Sequence, residues 1–490
     1  MNGLALVIAQ FAMIGSTSPA MSEREFWQEM ARADLEAIHS LVLEAHPVAI
    51  DTVNPDLKAW VEDGYTQAKH HLRYVDSYDT ALSAVRYYVA GFEDGHFGYS
   101  DNIREEYPIW VTGWYVKLID GQYVVTATIP GWPSSLPPVG ARWTGCDGSS
   151  AQDVVETKIG PYVGRLRGER GDLQRASSIW MRLPIADNFR ECDFLSESNE
   201  PLRLAVEYRP ITNAQMTSAW GPLHKAAEGK NSFEVRDGML WIRAGTFNLR
   251  QDPRLLRDLE AMLDGLAKER TARMIVFDVR GNGGGDSGVG DRIFDAATGG
   301  LVYDMSDAAG VPRYFAQWRV SDYALAFLDD QIEKSKRLYG PNSLRVEEEI
   351  AFREMMRAAK ESGKPWVEQD GGYSWTREDV IARGGHLQRD GVEVALVTDR
   401  ACASACLDFA DSVMRVPGAI HLGETTSADS VYMVGSDAVL PSGNLLTMPI
   451  KVWRNRVRGN NQPYIPDVPL QLDGDEEGIR QKVRQVLERT

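Results

Sequence analysis

Cysteine is scarce: 490 residues hold four, Cys146, Cys192, Cys402 and Cys406. Neither C-x-x-C nor H-E-x-x-H occurs, so a zinc site has no support, and no metal or other cofactor is expected. Four cysteines neither require nor exclude an oxidising compartment. Excess positive charge is also missing. A net charge of −17 and a pI near 5.1 argue against nucleic acid or an anionic membrane as the main partner. Long apolar runs are lacking as well, because Leu4 to Ile14 is too short to span a bilayer, and no stable membrane insertion is expected. That run precedes Ser16-Thr17-Ser18-Pro19-Ala20, where small residues suit cleavage before Met21, although Met1-Asn2-Gly3 carries no Lys or Arg. Residues 1–20 are therefore expected to be a signal peptide and the protein periplasmic or secreted; without that leader it would be cytoplasmic.

What is present is the composition of an ordinary soluble globular protein, 43% hydrophobic and 25% charged. The length exceeds one compact core and suggests two to four domains. After the leader come three helical segments: Glu25 to Ala45, Pro55 to Leu72 with Asn54 at the N-cap, and Asp79 to Gly91. Short β-runs follow at Trp114 to Ile119, Tyr123 to Ile129 and Leu202 to Tyr208. The strand pattern of Met239 to Phe247 leads into a helix that Asp252-Pro253 opens, with Leu255, Leu256, Leu259, Met262, Leu263 and Leu266 on one side. A strand over Met274 to Val279 then completes a βαβ crossover. Residues ~300 to 390 read as a charged helical insertion with helices Asp322 to Tyr339 and Val346 to Ser362, the second closed by Gly371-Gly372-Tyr373. The expected class is mixed α/β and multidomain. Residues 21–108 form a helical N-terminal domain, 109–210 a β-rich domain, 211–299 and 391–475 the two parts of a βαβ-containing core, and 476–490 a C-terminal helix.

The stretch that carries chemistry begins at Val394 to Val397, a buried-strand run ending at Thr398-Asp399-Arg400. From Ser404 the period turns helical through Cys406, Leu407, Ala410, Val413 and Met414, and Pro417-Gly418 stops it. Ser404 thus sits where a strand hands over to a helix whose first N–H groups are unpaired. It reads either as a helix cap or as a nucleophile beside half an oxyanion hole. Cys402 and Cys406 bracket it, and they would make an awkward disulfide if the residues between them were helical. A second stretch, Asp278-Val-Arg280-Gly-Asn282-Gly283-Gly284-Gly285, closes the strand before it with a glycine-rich loop.

Together these stretches resemble the C-terminal-processing (tail-specific) serine peptidases. Asp278, Arg280, Asn282, Gly284 and Gly285 match the family's D-x-R-x-N-x-G-G. Ala403-Ser404-Ala405 matches its serine motif, and Gly423-Glu424-Thr426 its G-E-x-T turn. Many members activate the serine with a lysine where this chain has Asp429, and an aspartate cannot serve as that base. The resemblance therefore points to the histidine-dependent branch, which includes the tricorn core protease and the protease-like activity factor. There the histidine follows a helix in a D-x-H-type turn, and His96 in Glu93-Asp94-Gly95-His96-Phe97 fits that role.

The resemblance implies a serine endopeptidase acting on polypeptides, with Ser404 as nucleophile and His96 as general base. The Ala405 N–H and one from Gly283 or Gly284 would form the oxyanion hole. The branch's glutamate that orients the histidine falls at Asn460, which brings no charge; Asp429 and Glu424 are substitutes. Residues 109–210 are similar to a PDZ domain, through Val139-Gly140-Ala141-Arg142 and Cys146-Asp147-Gly148, and would take a peptide as an added strand; otherwise they are a spacer shaping the cleft. A homodimer through the insertion stays open. Rival readings are a catalytically silent peptide or ligand binder, an esterase-like hydrolase, a dinucleotide site on Gly283-x-Gly285-x-x-Gly288 with Asp304, and Ser287 as nucleophile, which has no partner base near it in sequence.

Overall fold

The computed structural model describes residues 21–103, 107–164, 175–186, 188–220, 229–249, 253–470, 472 and 476–488. The expected leader and the Asp252 cap fall outside them. The chain forms two compact units: Met1–Lys225 with Arg319–Phe327 and Tyr432–Lys451, and Ala226–Trp318 with Leu328–Val431 and Val452–Thr490.

The first unit opens with helices Glu23–Ala45, Pro55–His71 and Tyr78–Ala90. Ser22 and Glu25 start the first through a reciprocal capping box, which satisfies two N–H groups that a helix end otherwise leaves bare. Its inner face buries Leu35, Ile38 and Val42 completely, while Phe26 is 40% exposed and lies edge-on to Trp27. Asn54 does not cap the second helix with its side chain, because its Nδ2 donates instead to the Tyr432 hydroxyl at 2.8 Å. After the third helix, Gly98–Ser100 pairs antiparallel with residues 445–447.

The 109–210 span contains an antiparallel sheet in the order Trp114–Ile119, Gln122–Thr128, Arg142–Cys146, Glu191–Leu195, Pro201–Ala205. Its inward side chains include Val116, Val125, Trp143 and Phe194. Asp147 and Gly148 both take positive φ and turn the chain back on itself. Cys146 and Cys192 face each other across two of the strands and are disulfide-bonded.

The second unit is built on one sheet whose spatial order follows the chain: β1 (Asn231–Arg236), β2 (Met239–Ala244), β3 (Met274–Asp278), β4 (Glu393–Thr398), β5 (Ile420–Gly423) and β6 (Val468–Pro469). Only the β1–β2 pair is antiparallel. On one face lie α1 (Pro253–Lys268), α2 (Ser287–Thr298) and α3 (Ala405–Met414), whose Leu259, Ile293 and Phe409 join Ile242, Phe277 and Leu396 in one buried cluster. On the other, α4 (Glu476–Leu487) sets Ile479 and Val483 against Trp241, Val276 and Val397. A strand covered on both sides has no polar face to show, which is why Val394 to Val397 is continuously apolar. The 300–390 segment has its two helices, Asp322–Tyr339 and Leu344–Glu361, but it is not only helical. Arg313–Arg319 and Trp366–Tyr373 are neighbouring strands, and the second absorbs Gly371 and Gly372, which the sequence pattern places at a helix stop. Among the described residues no helix is long and apolar enough to cross a membrane.

Candidate active site

Ser404 occupies the junction between the loop after β4 and the first residue of α3, with φ 55° and ψ −125°. A non-glycine residue held there costs about 1–3 kcal/mol and persists only where its surroundings over-determine it. Those surroundings are visible. The Asp399 carboxylate accepts the N–H groups of Gly281 at 2.9 Å and Ala401 at 3.0 Å, and the Cys402 N–H reaches the Asp399 carbonyl at 3.2 Å. Ser427 donates to the Cys402 carbonyl at 3.0 Å. Cys402 and Cys406 are disulfide-bonded with Cα atoms 5.3 Å apart. The awkwardness expected of that bond does not arise, because the helix begins only at Ala405 and Cys402 stands outside it.

The helix-cap alternative fails on the same geometry: the Ser404 side chain makes no capping bond. Ser404 is partly exposed, and neither its hydroxyl nor the Ala405 N–H has a hydrogen-bond partner among the described residues.

The glycine loop divides its residues by task. Asp278 is fully buried, and its carboxylate takes the Arg243 guanidinium at 2.6 Å and Arg280 at 2.6 and 2.9 Å. Burial pushes that carboxyl's pKa up, but the two arginines hold it below its ordinary value. Asn282, also buried, donates to the Ala244 carbonyl at 2.7 Å and accepts the Gly284 N–H at 2.8 Å. The Gly284 N–H, one of the two expected at an oxyanion hole, is thus engaged by Asn282, whereas Gly283 is exposed and its N–H has no partner among the described residues.

Gly284 has a steric task instead. At φ +101° a Cβ there would lie 2.7 Å from the Ala403 oxygen, 2.8 Å from Ser404 Cβ and 3.0 Å from the Ala405 nitrogen. Only glycine lets the loop rest on the serine turn. The dinucleotide alternative finds no cradle. Although α2 starts within the G-x-G-x-x-G run, its N-terminus is capped by the Asp286 carboxylate on Gly288 N–H at 3.1 Å, and Asp286 is paired with Arg345 at 2.7 Å. A carboxylate stands where a diphosphate would have to sit, and the Asp304 side chain caps the Ser306 N–H at 2.9 Å.

In the other unit, His96 lies in the turn that follows the third helix. The Asp94 carboxylate, almost wholly buried, accepts the His96 backbone N–H at 2.8 Å and stands 3.5 Å from the ring Nδ1, while the ring is about 20% exposed. Asp94 is the acidic residue of the D-x-H turn, and that spacing is the one sequence signal for a carboxylate beside the histidine. His46 lies nearby, fully buried. Its Nδ1 accepts the Val48 N–H at 3.0 Å, and burial pushes its pKa down to about 4 against the pull of Asp94 and Asp51.

The proposed third members are otherwise engaged. Asn460 accepts the Val431 N–H at 2.9 Å. Glu424 pairs with Arg400 at 3.0 Å. Asp429 is buried between two guanidiniums, Arg456 at 3.0 Å and Arg458 in closer contact. Arg458 also binds Asp411 at 3.0 Å, and Asp411 accepts the Tyr464 hydroxyl at 2.6 Å. Ser287, without a partner in the sequence reading, has one in space: its hydroxyl donates to Asp408 at 2.7 Å, a carboxyl pushed up to about 6 by burial and by Asp411.

No family model and no curated protein matches the chain. Solved structures do. Mature CPAF is similar over 91% of this chain and 93% of its own, with 12% identity and a TM-score of 0.55. The photosystem II D1 C-terminal processing protease matches over 94% and 97% with 14% identity and a TM-score of 0.33. The tricorn protease matches over 94% of this chain and 37% of its own, with 13% identity and a TM-score of 0.40. The likeness to CPAF is one of fold, and it covers both units. The chain thus has the mixed α/β, multidomain fold implied by its resemblance to the C-terminal-processing serine peptidases.

Proposed function

We propose that the protein is a serine endopeptidase acting on polypeptide substrates, with Ser404 as nucleophile and His96 as general base. The observation that carries this reading is the serine turn: a strained, partly exposed Ser404 whose hydroxyl, like the neighbouring Ala405 N–H, has no hydrogen-bond partner among the described residues. In this account His96 takes the hydroxyl proton and the alkoxide attacks a peptide carbonyl. The tetrahedral oxyanion rests on the N–H groups of Ala405 and Gly283. His96 then protonates the leaving amine, and water clears the acyl-enzyme by the same route in reverse. Asp94, rather than Asn460, Asp429 or Glu424, orients the imidazole and faces its positive charge; it is the carboxylate beside His96 Nδ1. The 109–210 domain, in a PDZ-like role, offers Pro201–Ala205 as a sheet edge for an extended peptide. Two disulfides fit an oxidising, periplasmic or secreted setting.

The test is hydrolysis of an unstructured polypeptide and of a small ester by the wild type, Ser404→Ala and His96→Ala. The expected result is polypeptide cleavage that falls about a thousandfold or more in each variant. Ester turnover without polypeptide cleavage would make the protein an esterase. Peptide binding with no turnover would make it a silent relative, and unchanged cleavage by Ser404→Ala would remove the nucleophile.

A further inference from the structure

We propose that the Cys402–Cys406 disulfide is a positioning element of the active site, and that Ser404 reacts at its full rate only while that bond is closed. The inference rests on the reading of Ser404 as nucleophile. The bond closes a ring over Cys402-Ala403-Ser404-Ala405-Cys406, so the strained residue is the middle of the ring and the Ala405 N–H is one of its members. Both cysteines are fully buried in the core cluster that also holds Phe277 and Phe409. One sulfur is fixed ahead of α3 and the other within its first turn, so the bond ties the end of the loop to the helix across the serine.

Among the described residues the hydrogen bonds across that joint are all backbone ones: the Cys406 N–H donates to the Ala403 carbonyl at 3.1 Å, and the Leu407 and Asp408 N–H groups donate to the Ser404 carbonyl at 2.8 and 3.2 Å, while the Ala403 N–H reaches the Asn282 carbonyl only at 3.4 Å. The missing Cβ of Gly284 shows that the turn is hemmed in from one side by backbone. A left-handed serine persists only where it is over-determined, and the disulfide adds a covalent constraint to the hydrogen bonds that hold the turn.

The second disulfide makes the contrast. Cys146 and Cys192 are 46 residues apart in sequence and already face each other in adjacent strands. A bond of that kind constrains the unfolded chain strongly and local geometry little; the short ring around Ser404 does the reverse. Opening it takes two electrons and two protons from a dithiol, which leaves as its own cyclic disulfide, while Cys402 and Cys406 become thiols. Ser404 is then free to relax to negative φ, which moves its hydroxyl and turns the Ala405 N–H away from the oxyanion.

The experiment measures the rate at which a fluorophosphonate modifies Ser404, together with kcat, KM and Tm. The full-length Cys146→Ala/Cys192→Ala protein serves as background, so that one disulfide remains. It is assayed oxidised, dithiol-reduced and reoxidised, with thiols counted by mass spectrometry on parallel samples. Opening the bond is expected to slow modification and kcat about 10- to 100-fold with KM nearly unchanged, and reoxidation to restore both. Cys402→Ala/Cys406→Ala in the natural background should show the same loss with a small change in Tm. If that variant fails to fold, the reduction and reoxidation cycle decides.

Equal rates in the open and closed forms would overturn the proposal, as would free Cys402 and Cys406 thiols in the oxidised protein. If the oxidised wild type is never modified at Ser404, the nucleophile reading falls and takes this inference with it. If it is modified at one rate in both redox states, only the disulfide's role falls.

Discussion

Two turns in the second unit are equally polar and are built to opposite ends. At the Ser404 turn the backbone is strained, and the hydroxyl and the N–H groups of Ala405 and Gly283 are left without partners among the described residues. At the Asp429 turn the carboxylate is buried but sits between Arg456 and Arg458. The backbone there is bound as well, with the Asp429 carbonyl accepting the Asn461 N–H at 2.8 Å and Arg456 at 3.2 Å. Unengaged donors beside a strained residue are costly to a fold and are kept where they do chemistry. A buried carboxylate neutralised by guanidiniums fixes a shape. Asp429, which the sequence resemblance sets against a lysine, is thus an anchor in this chain, and by our reading the charge that serves the base lies beside His96.

The widest break in that comparison comes from Ser404→Gly. Glycine accepts the left-handed turn, so the variant should abolish polypeptide hydrolysis, a loss of about a thousandfold or more, and yet be more stable to urea by about 1 kcal/mol. Arg458→Met should do the opposite. Leaving the buried Asp429 charge and the partly buried Asp411 with one guanidinium fewer should cost about 3–5 kcal/mol in stability, with kcat per folded molecule within about threefold of wild type.

His46→Asn addresses the turn that carries His96. In the unfolded chain this histidine takes a proton near its ordinary value of 6.5, but in the fold it refuses one until about 4. The folded state is therefore at its full advantage above pH 6.5 and loses it as pH falls toward 4, by up to about 3 kcal/mol. Asparagine keeps an acceptor for the Val48 N–H and cannot titrate, so urea unfolding between pH 7 and 4 should show a flatter slope. Gly284→Ala is the mildest change in composition. Its Cβ would press on Ala403, Ser404 and Ala405, and kcat should fall about 10- to 100-fold while KM moves little.

Much of this was legible in the amino-acid pattern, for physical reasons. Val394 to Val397 reads as a strand because it is covered on both faces, and the glycine loop is legible because Gly284 and Gly285 stand where backbone approaches too closely for a Cβ. What stayed hidden depends on distance in sequence or on a single residue of register. Arg458 meets Asp411 and Asp429 from 47 and 29 positions away, and no local period announces that pairing. The Cys402–Cys406 bond turns on whether α3 begins at Ala405 or a turn earlier, which helix propensity does not settle. Gly371 and Gly372 look like a helix stop until a neighbouring strand, Arg313–Arg319, is there to pair with them. Asp94 is in plain view in its motif, but its 3.5 Å approach to His96 Nδ1, on which the role we propose for it rests, is a matter of side-chain placement that no sequence pattern gives.

The most direct measurement is to react the oxidised, full-length protein with a fluorophosphonate and map the adduct by peptide mass spectrometry. The account predicts one adduct, on Ser404, absent from Ser404→Ala and strongly slowed in His96→Ala. An adduct on Ser287, whose hydroxyl faces Asp408, or no adduct on a protein that nonetheless cleaves polypeptides, would contradict it.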